Sequence, residues 1–223
     1  MSDMTADFDA LASAYDAWFE GKGKLIFEIE VKAFEEALPL LPKPWLEVGV
    51  GSGRFARKLG IATGVDPSAR LLDKARSRGI AAFLARGEDR VFEAGSFGTV
   101  FLIVTLCFVQ SPSAVIQEAN RVLERNGKMV LGLVLRDSPW GRFYLAQARE
   151  GHRFYKHATF YSYEEVTALL KSACLVVEST VSTLFQKPGE VLGIEDPRAG
   201  FYPDAGFTIL VCGREADRQV ESK

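Results

Sequence analysis

The stretch Trp45-Leu46-Glu47-Val48-Gly49-Val50-Gly51-Ser52-Gly53-Arg54-Phe55-Ala56 constrains this chain more than any other. An apolar run fit for a buried parallel strand ends in an acid and three alternating glycines, then enters a helical pattern. Glycine permits positive φ and lets bare backbone approach a ligand closely. A strand, a glycine loop and a helix in that order present backbone N–H groups to a nucleotide-like ligand. The spacing narrows the ligand. A dinucleotide fingerprint, G-x-G-x-x-G, needs its third glycine where this chain has Arg54. The pattern here is E-x-G-x-G-x-G, with the acid on the strand itself.

Upstream, Phe8, Leu11, Tyr15, Trp18 and Phe19, then Leu25, Ile26, Ile29, Phe34 and Leu38, recur at helical spacing, and Gly21-Lys22-Gly23 divides them into two helices. Downstream, strand and helix alternate, which implies parallel strands with helical crossovers. Strands are expected at Ala62–Val65, Ile80–Leu84 and Thr99–Thr105, and after the Asn126-Gly127 turn at Lys128–Leu135. A helix capped by Ser68 and another over Pro112–Leu123 lie between them. Pro139 to Tyr161 breaks the alternation with a dense set of aromatics and both histidines, His152 and His157. Ser162 then caps a helix with Glu165 as its capping-box partner. Leu175–Leu184 and Phe207–Val211 read as the last strands, with a Gly- and Pro-rich loop over Pro188–Ala205 between them.

With 48% hydrophobic and 25% charged residues, the 223-residue chain has an ordinary globular composition, long enough for one sizeable α/β domain. A net charge of -2 offers no general attraction to nucleic acid or anionic membrane. The opening residues are acidic and polar rather than a signal peptide, and no apolar run approaches a membrane span. Cys107, Cys174 and Cys212 are scattered, with no disulfide framework or metal-ligand spacing, as expected of reduced core cysteines in the cytoplasm.

The E-x-G-x-G-x-G loop resembles motif I of the class I S-adenosylmethionine (SAM)-dependent methyltransferases. Several later segments are similar to that family: Gly64-Val65-Asp66-Pro67-Ser68, Ala85-Arg86-Gly87-Glu88-Asp89, Gly95-Ser96-Phe97-Gly98 and Glu118 to Lys128. Phe8, Tyr15, Asp16 and Trp18 resemble the opening of its small-molecule, ubiquinone/menaquinone-biosynthesis-like (type 11) subgroup. The resemblance implies a Rossmann-like α/β fold, with a seven-stranded, mostly parallel sheet, the last strand antiparallel and helices on both faces. It implies a helical lid over residues 1–44, a SAM-binding domain over 45–214 with a lid and substrate insertion at about 137–161, and a flexible tail over 215–223. SAM would be bound by Tyr15, Glu47, Gly49, Gly51, Gly53, Asp66, Pro67, Ser68, Gly87, Glu88 and Thr105, and released as S-adenosylhomocysteine. Asp66 suits ribose because a carboxylate accepts two hydrogen bonds from vicinal hydroxyls.

The acceptor is expected to be a small molecule rather than nucleic acid. The Asn/Asp-Pro-Pro-Tyr/Phe signature of some DNA methylases is missing at Thr105-Leu106-Cys107-Phe108-Val109, and Cys107 lacks a Pro-Cys context. Trp18, Phe108 and Tyr155 are candidate substrate contacts. His152, His157 and Tyr15 are candidate proton acceptors, although methyl transfer requires chiefly positioning. No metal is expected. The protein would work as a monomer or homodimer in the cytoplasm, on an acceptor N, O, S or C atom. The alternative from another class is a SAM-sensing module without transferase activity, which a sealed, crowded pocket would favour. An NAD-dependent oxidoreductase fails on the missing third glycine.

Overall fold

The structure, a computed structural model, describes residues 4–21, 23–215 and 217. The side chain of Phe8 and the expected tail beyond Asp217 lie outside the described residues. Two helices open the chain, α1 (Met4–Trp18) and α2 (Lys24–Ala37). The alternating part then runs β1 (Trp45–Val48), α3 (Arg54–Leu59), β2 (Thr63–Asp66), α4 (Ala69–Ser77), β3 (Ala81–Leu84), β4 (Phe97–Ile103), α5 (Pro112–Val122) and β5 (Leu123–Leu133). It ends with α6 (Pro139–Arg149), α7 (Tyr163–Ser172), β6 (Leu175–Thr183), β7 (Arg198–Ala199) and β8 (Phe207–Arg214).

One sheet joins all the strands in the order β3-β2-β1-β4-β5-β8-β6-β7. β1 to β5 pair in parallel, and β8 inserts antiparallel between β5 and β6. Every residue of β4 is buried, as a central strand covered on both faces requires. Strand alternation divides the interior into two cores. Trp45, Phe101, Ile103, Val130 and Phe207 meet α2, α3 and α6 on one face. Leu46, Val48, Val100, Leu102 and Met129 meet α5 and α7 on the other. By the same alternation Glu47 falls on the α2 face.

Local signals set the helix starts. Ser68 accepts from Leu71 N–H at 3.3 Å to cap α4. At α7, Ser162 Oγ accepts from Glu165 N–H at 3.2 Å while Ser162 N–H donates to Glu165 at 2.8 Å, the expected capping box.

Four expectations need correction. The sheet has an eighth strand, because Val181 and Ser182 pair with Ala199 and Arg198 inside the expected 188–205 loop. β5 begins at Leu123, which pairs with Phe97. Asn126, at φ 63, makes a bulge within the strand rather than a turn before it. The aromatic insertion holds a full helix, α6, started by Ser138 accepting from Gly141 N–H at 2.9 Å with Pro139 in the first turn. Of the three cysteines, only Cys212 is a core residue; Cys174 is exposed and Cys107 half-buried.

α2 is part of the main core. Phe34 packs edge-to-face on Phe207 at 5.9 Å and on Phe55 at 6.1 Å. Gly132 of β5 makes this possible, since a Cβ there would stand 2.7 Å from Phe207 and 2.8 Å from Phe34. Gly132→Ala is therefore expected to destabilise the fold by about 2 kcal/mol through overpacking. Urea unfolding should show a lower midpoint with an unchanged slope, whereas an unchanged midpoint would contradict the packing.

Candidate active site

Strand order reverses between β1 and β4, and the carboxyl ends of β1 to β4 open into the crevice where α/β sheets bind ligands. The loop after β1 is tied down by its backbone: Gly49 N–H and Val50 N–H both donate to Val65 O, at 2.8 and 3.0 Å. Gly51 N–H donates to Asp66 Oδ2 at 2.9 Å, and Ser68 N–H to Asp66 Oδ1 at 2.9 Å. Gly49 has φ 75, and a Cβ on it would stand 2.4 Å from Thr105, so glycine is required for close approach. Thr105 is itself locked by donation to Val48 O at 3.0 Å. Beside it, Val104 holds φ 52, an uncommon conformation for a β-branched residue. Its N–H donates to Gly132 O at 2.9 Å.

Two cavities open onto this crevice. The first is lined by Gly51, Asp66, Pro67, Ser68, Arg86, Gly87, Glu88 and Thr105, among others. The second, of about 460 Å³, is walled by aromatic residues from α1, α6 and the 155–157 turn, with Glu30 and Glu47 on it. Tyr15, Gly49, Ile103, Val104 and Phe108 line both, so the cavities meet there.

α1 is tied to the glycine loop through one carboxylate. Asp16 accepts from Ser52 Oγ at 2.8 Å, Arg54 Nε at 2.6 Å and Arg78 at 2.9 Å. Arg78 also donates to Ser52 O at 2.6 Å. Burial alone would push the Asp16 carboxyl up, but the donors from Arg54, Arg78 and Ser52 outweigh it and hold the group well below the usual range. Arg54, the residue that spoils the dinucleotide spacing, is thus half of the clasp between α1 and the glycine loop.

A model of the Methyltransferase domain matches residues 46–131. An uncharacterized Mycobacterium tuberculosis protein is 38% identical over 201 residues, covering 89% of this chain and 70% of its own. An uncharacterized protein of Methanocaldococcus jannaschii is 34% identical over 203 residues, with 91% and 96% coverage. The crystal structure of a Thermotoga maritima SAM-dependent methyltransferase, described as a possible histamine N-methyltransferase, superposes with a TM-score of 0.87. It is 32% identical, and the match covers 96% of this chain and all of that one, 100%. The chain belongs to the SAM-dependent methyltransferases.

The residues of this methyltransferase fit SAM. Glu47 is buried with its Oε2 unpartnered, and burial together with the nearby Asp66 charge pushes its carboxyl well up. Two carboxyl groups facing one crevice suit a ligand that carries an ammonium and a sulfonium. Of the expected cofactor residues, Tyr15, Gly49, Gly51, Asp66, Pro67, Ser68, Gly87, Glu88 and Thr105 line the first cavity, and Glu47 lines the second. Gly53 lines neither. It starts α3 at φ 76, where a Cβ would stand 3.0 Å from Ala75, so its glycine serves helix packing. Trp18, Phe108 and Tyr155 all line the aromatic cavity, as does His152; His157 lines neither cavity.

Burial and the charges of Asp66 and Glu47 raise the Tyr15 hydroxyl far above its ordinary value, which favours its neutral form. Cys107 is pushed up to about 12 by burial, which rules out a thiolate nucleophile at neutral pH. His152 is lowered by burial and by Arg153, so it is neutral and able to accept a proton. The sequence reading missed Asp16 as a clasp, together with Glu30 and Tyr144. Their only sequence signal is an acid or a tyrosine set in an apolar helical stripe. Among the described residues no helix is long and apolar enough to cross a membrane, and no cluster of three potential metal ligands occurs.

Asp16→Ala leaves two guanidinium groups without their carboxylate and is expected to cost about 2 kcal/mol. Hydrogen exchange should show α1 amides losing protection while those of β4 and β5 keep theirs. Unaltered protection across α1 would refute the clasp.

Proposed function

We propose that this methyltransferase transfers the methyl group of SAM to a small-molecule acceptor by in-line displacement, in the cytoplasm. The first cavity takes the adenosine portion, the Glu47 and Gly49 end of the second takes the cofactor's amino-acid end, and the aromatic remainder takes the acceptor. The observation that carries this reading is the meeting of the two cavities at Tyr15, Gly49, Ile103, Val104 and Phe108. A volume of about 460 Å³ lies in the range of small-ligand pockets. An open second cavity also disfavours the sensing alternative, for which a sealed pocket was expected.

SAM brings an activated methyl and its own leaving group, so the protein's part is positioning and water exclusion. Asp66 has a lone pair free on each oxygen beyond the bonds from Gly51 and Ser68, enough to accept two ribose hydroxyls. Glu47 Oε2 accepts from the cofactor's amino group. Gly87 and Glu88 flank the adenine, and α1 with the 137–161 insertion forms the lid. Tyr15 and Phe154 touch edge-to-face at 5.6 Å, so the two parts of that lid meet over the aromatic cavity. His152 is the remaining candidate for receiving a proton.

Isothermal titration with SAM tests this assignment. Asp66→Ala is expected to weaken binding about a hundredfold, through two lost charge-assisted hydrogen bonds. Burial, only partly offset by the Ser68 and Gly51 N–H groups, puts the Asp66 carboxyl at about 6. The ionised form binds ribose, so affinity should be level between about pH 7 and 8 and fall as pH drops through 6. Equal affinity at pH 5 and pH 8, or an Asp66→Ala protein that binds normally, would reject the ribose role.

A further inference from the structure

One buried carboxyl group has no part in holding the cofactor or the fold. Glu30 sits on α2 between Ile29 and Val31, is 6% exposed, and lines the aromatic cavity. Its carboxyl group makes no hydrogen bond or ion pair to a described residue. The polar groups that face it electrostatically are Tyr144 and Tyr155, and burial pushes the carboxyl up to about 8. Other positions of α2 on this face, such as Ile29 and Phe34, are apolar and fully buried. An unpaired carboxyl in such a place costs stability and does no packing that leucine could not do.

The surroundings add a second, independent indication. Tyr144 and Tyr155 lie 4.3 Å apart, His152 stacks on Tyr155 at 4.5 Å, and Phe160 runs parallel to Tyr144 at 6.3 Å. Aromatic faces attract a cation through their quadrupoles. The basic groups of the cavity do not satisfy Glu30: Arg54 is committed to Asp16 and Glu20, and Arg153 is exposed against Phe154. Glu47 stands on the same cavity as a second acid, beside the glycine loop.

We propose that Glu30 is the anionic anchor of this cavity and that the acceptor is a small molecule with a basic nitrogen on an apolar body. The proposal rests on the assignment of the aromatic cavity to the acceptor. The protonated nitrogen pairs with the Glu30 carboxylate, the apolar body fills the aromatic walls, and Glu30 returns its proton to solvent as the cation enters. Neutral and acidic analogues of the same shape would leave Glu30 buried and unpaired, or oppose it with like charge, and are rejected.

The test is binding to protein saturated with S-adenosylhomocysteine, measured by titration with matched probes. Phenethylamine and tryptamine are compared with phenethyl alcohol, tryptophol and hydrocinnamate. The amines are expected to bind about tenfold or more tighter than their isosteres, and Glu30→Gln to erase that ratio. Glu30→Gln should leave S-adenosylhomocysteine affinity unchanged. Glu30→Leu should unfold at the same or a higher temperature, which separates lost recognition from lost folding. The proposal is overturned if alcohols or acids bind as well as amines, if no amine binds, or if Glu30→Gln keeps the preference. Failure of the wild-type protein to bind S-adenosylhomocysteine would instead count against the cofactor assignment beneath it.

Discussion

The carboxylate of Asp16 is the interaction on which the rest of the site depends. One side chain from the first helix takes hydrogen bonds from Ser52 and Arg54 of the glycine loop and from Arg78 beyond α4. The same helix carries Tyr15, one residue away, which lines both cavities. Charge-assisted bonds in a partly desolvated place are strong and directional. They fix α1 in orientation where its apolar face alone would only press it against the sheet. The same carboxylate explains why Arg54 occupies the position that a dinucleotide fold would give to glycine.

The sheet then sorts the chemistry. Alternation along β1 sends Leu46 and Val48 to one core and leaves Glu47 on the face that α1 and α2 cover. Loops at the ends of β1 to β4 bring Gly49, Asp66, Gly87 and Thr105 to a single crevice. Val104 adds a strained turn at the point where the cavities meet, a conformation costing on the order of 1–3 kcal/mol that the surrounding structure must hold. Glu30 is a second departure from what stability would choose, and both lie on the aromatic cavity. Departures of this kind concentrate at functional sites.

Much of this was legible in the residues. The glycine loop, the acid at Asp66, the Ser68 cap and the Ser162–Glu165 capping box are local signals, and each formed where its spacing placed it. What escaped depends on contacts distant in sequence. The β7 pairing is too short to carry a pattern, and the bulge at Asn126 is set by Leu123 bonding to the β4 edge at Phe97. α6 was hidden because its dense aromatics read as an insertion breaking the strand–helix alternation, although Ser138-Pro139 is a start signal. Asp16 drew notice only through a family resemblance, since nothing local reveals that two arginines more than thirty residues away converge on it. Glu30 carried no signal apart from its place in an apolar stripe.

The division of one crevice into a cofactor cavity and an acceptor cavity is the central claim, and a crystal structure with S-adenosylhomocysteine bound tests it most directly. The arrangement predicts adenine beside Gly87 and Glu88, ribose on Asp66, and sulfur at the junction of Tyr15, Gly49, Val104 and Phe108. The aromatic cavity around Glu30 should remain open beyond the sulfur. A ligand whose adenosine lies among Tyr144, Tyr155 and Phe160, or whose sulfur points away from that junction, would contradict it.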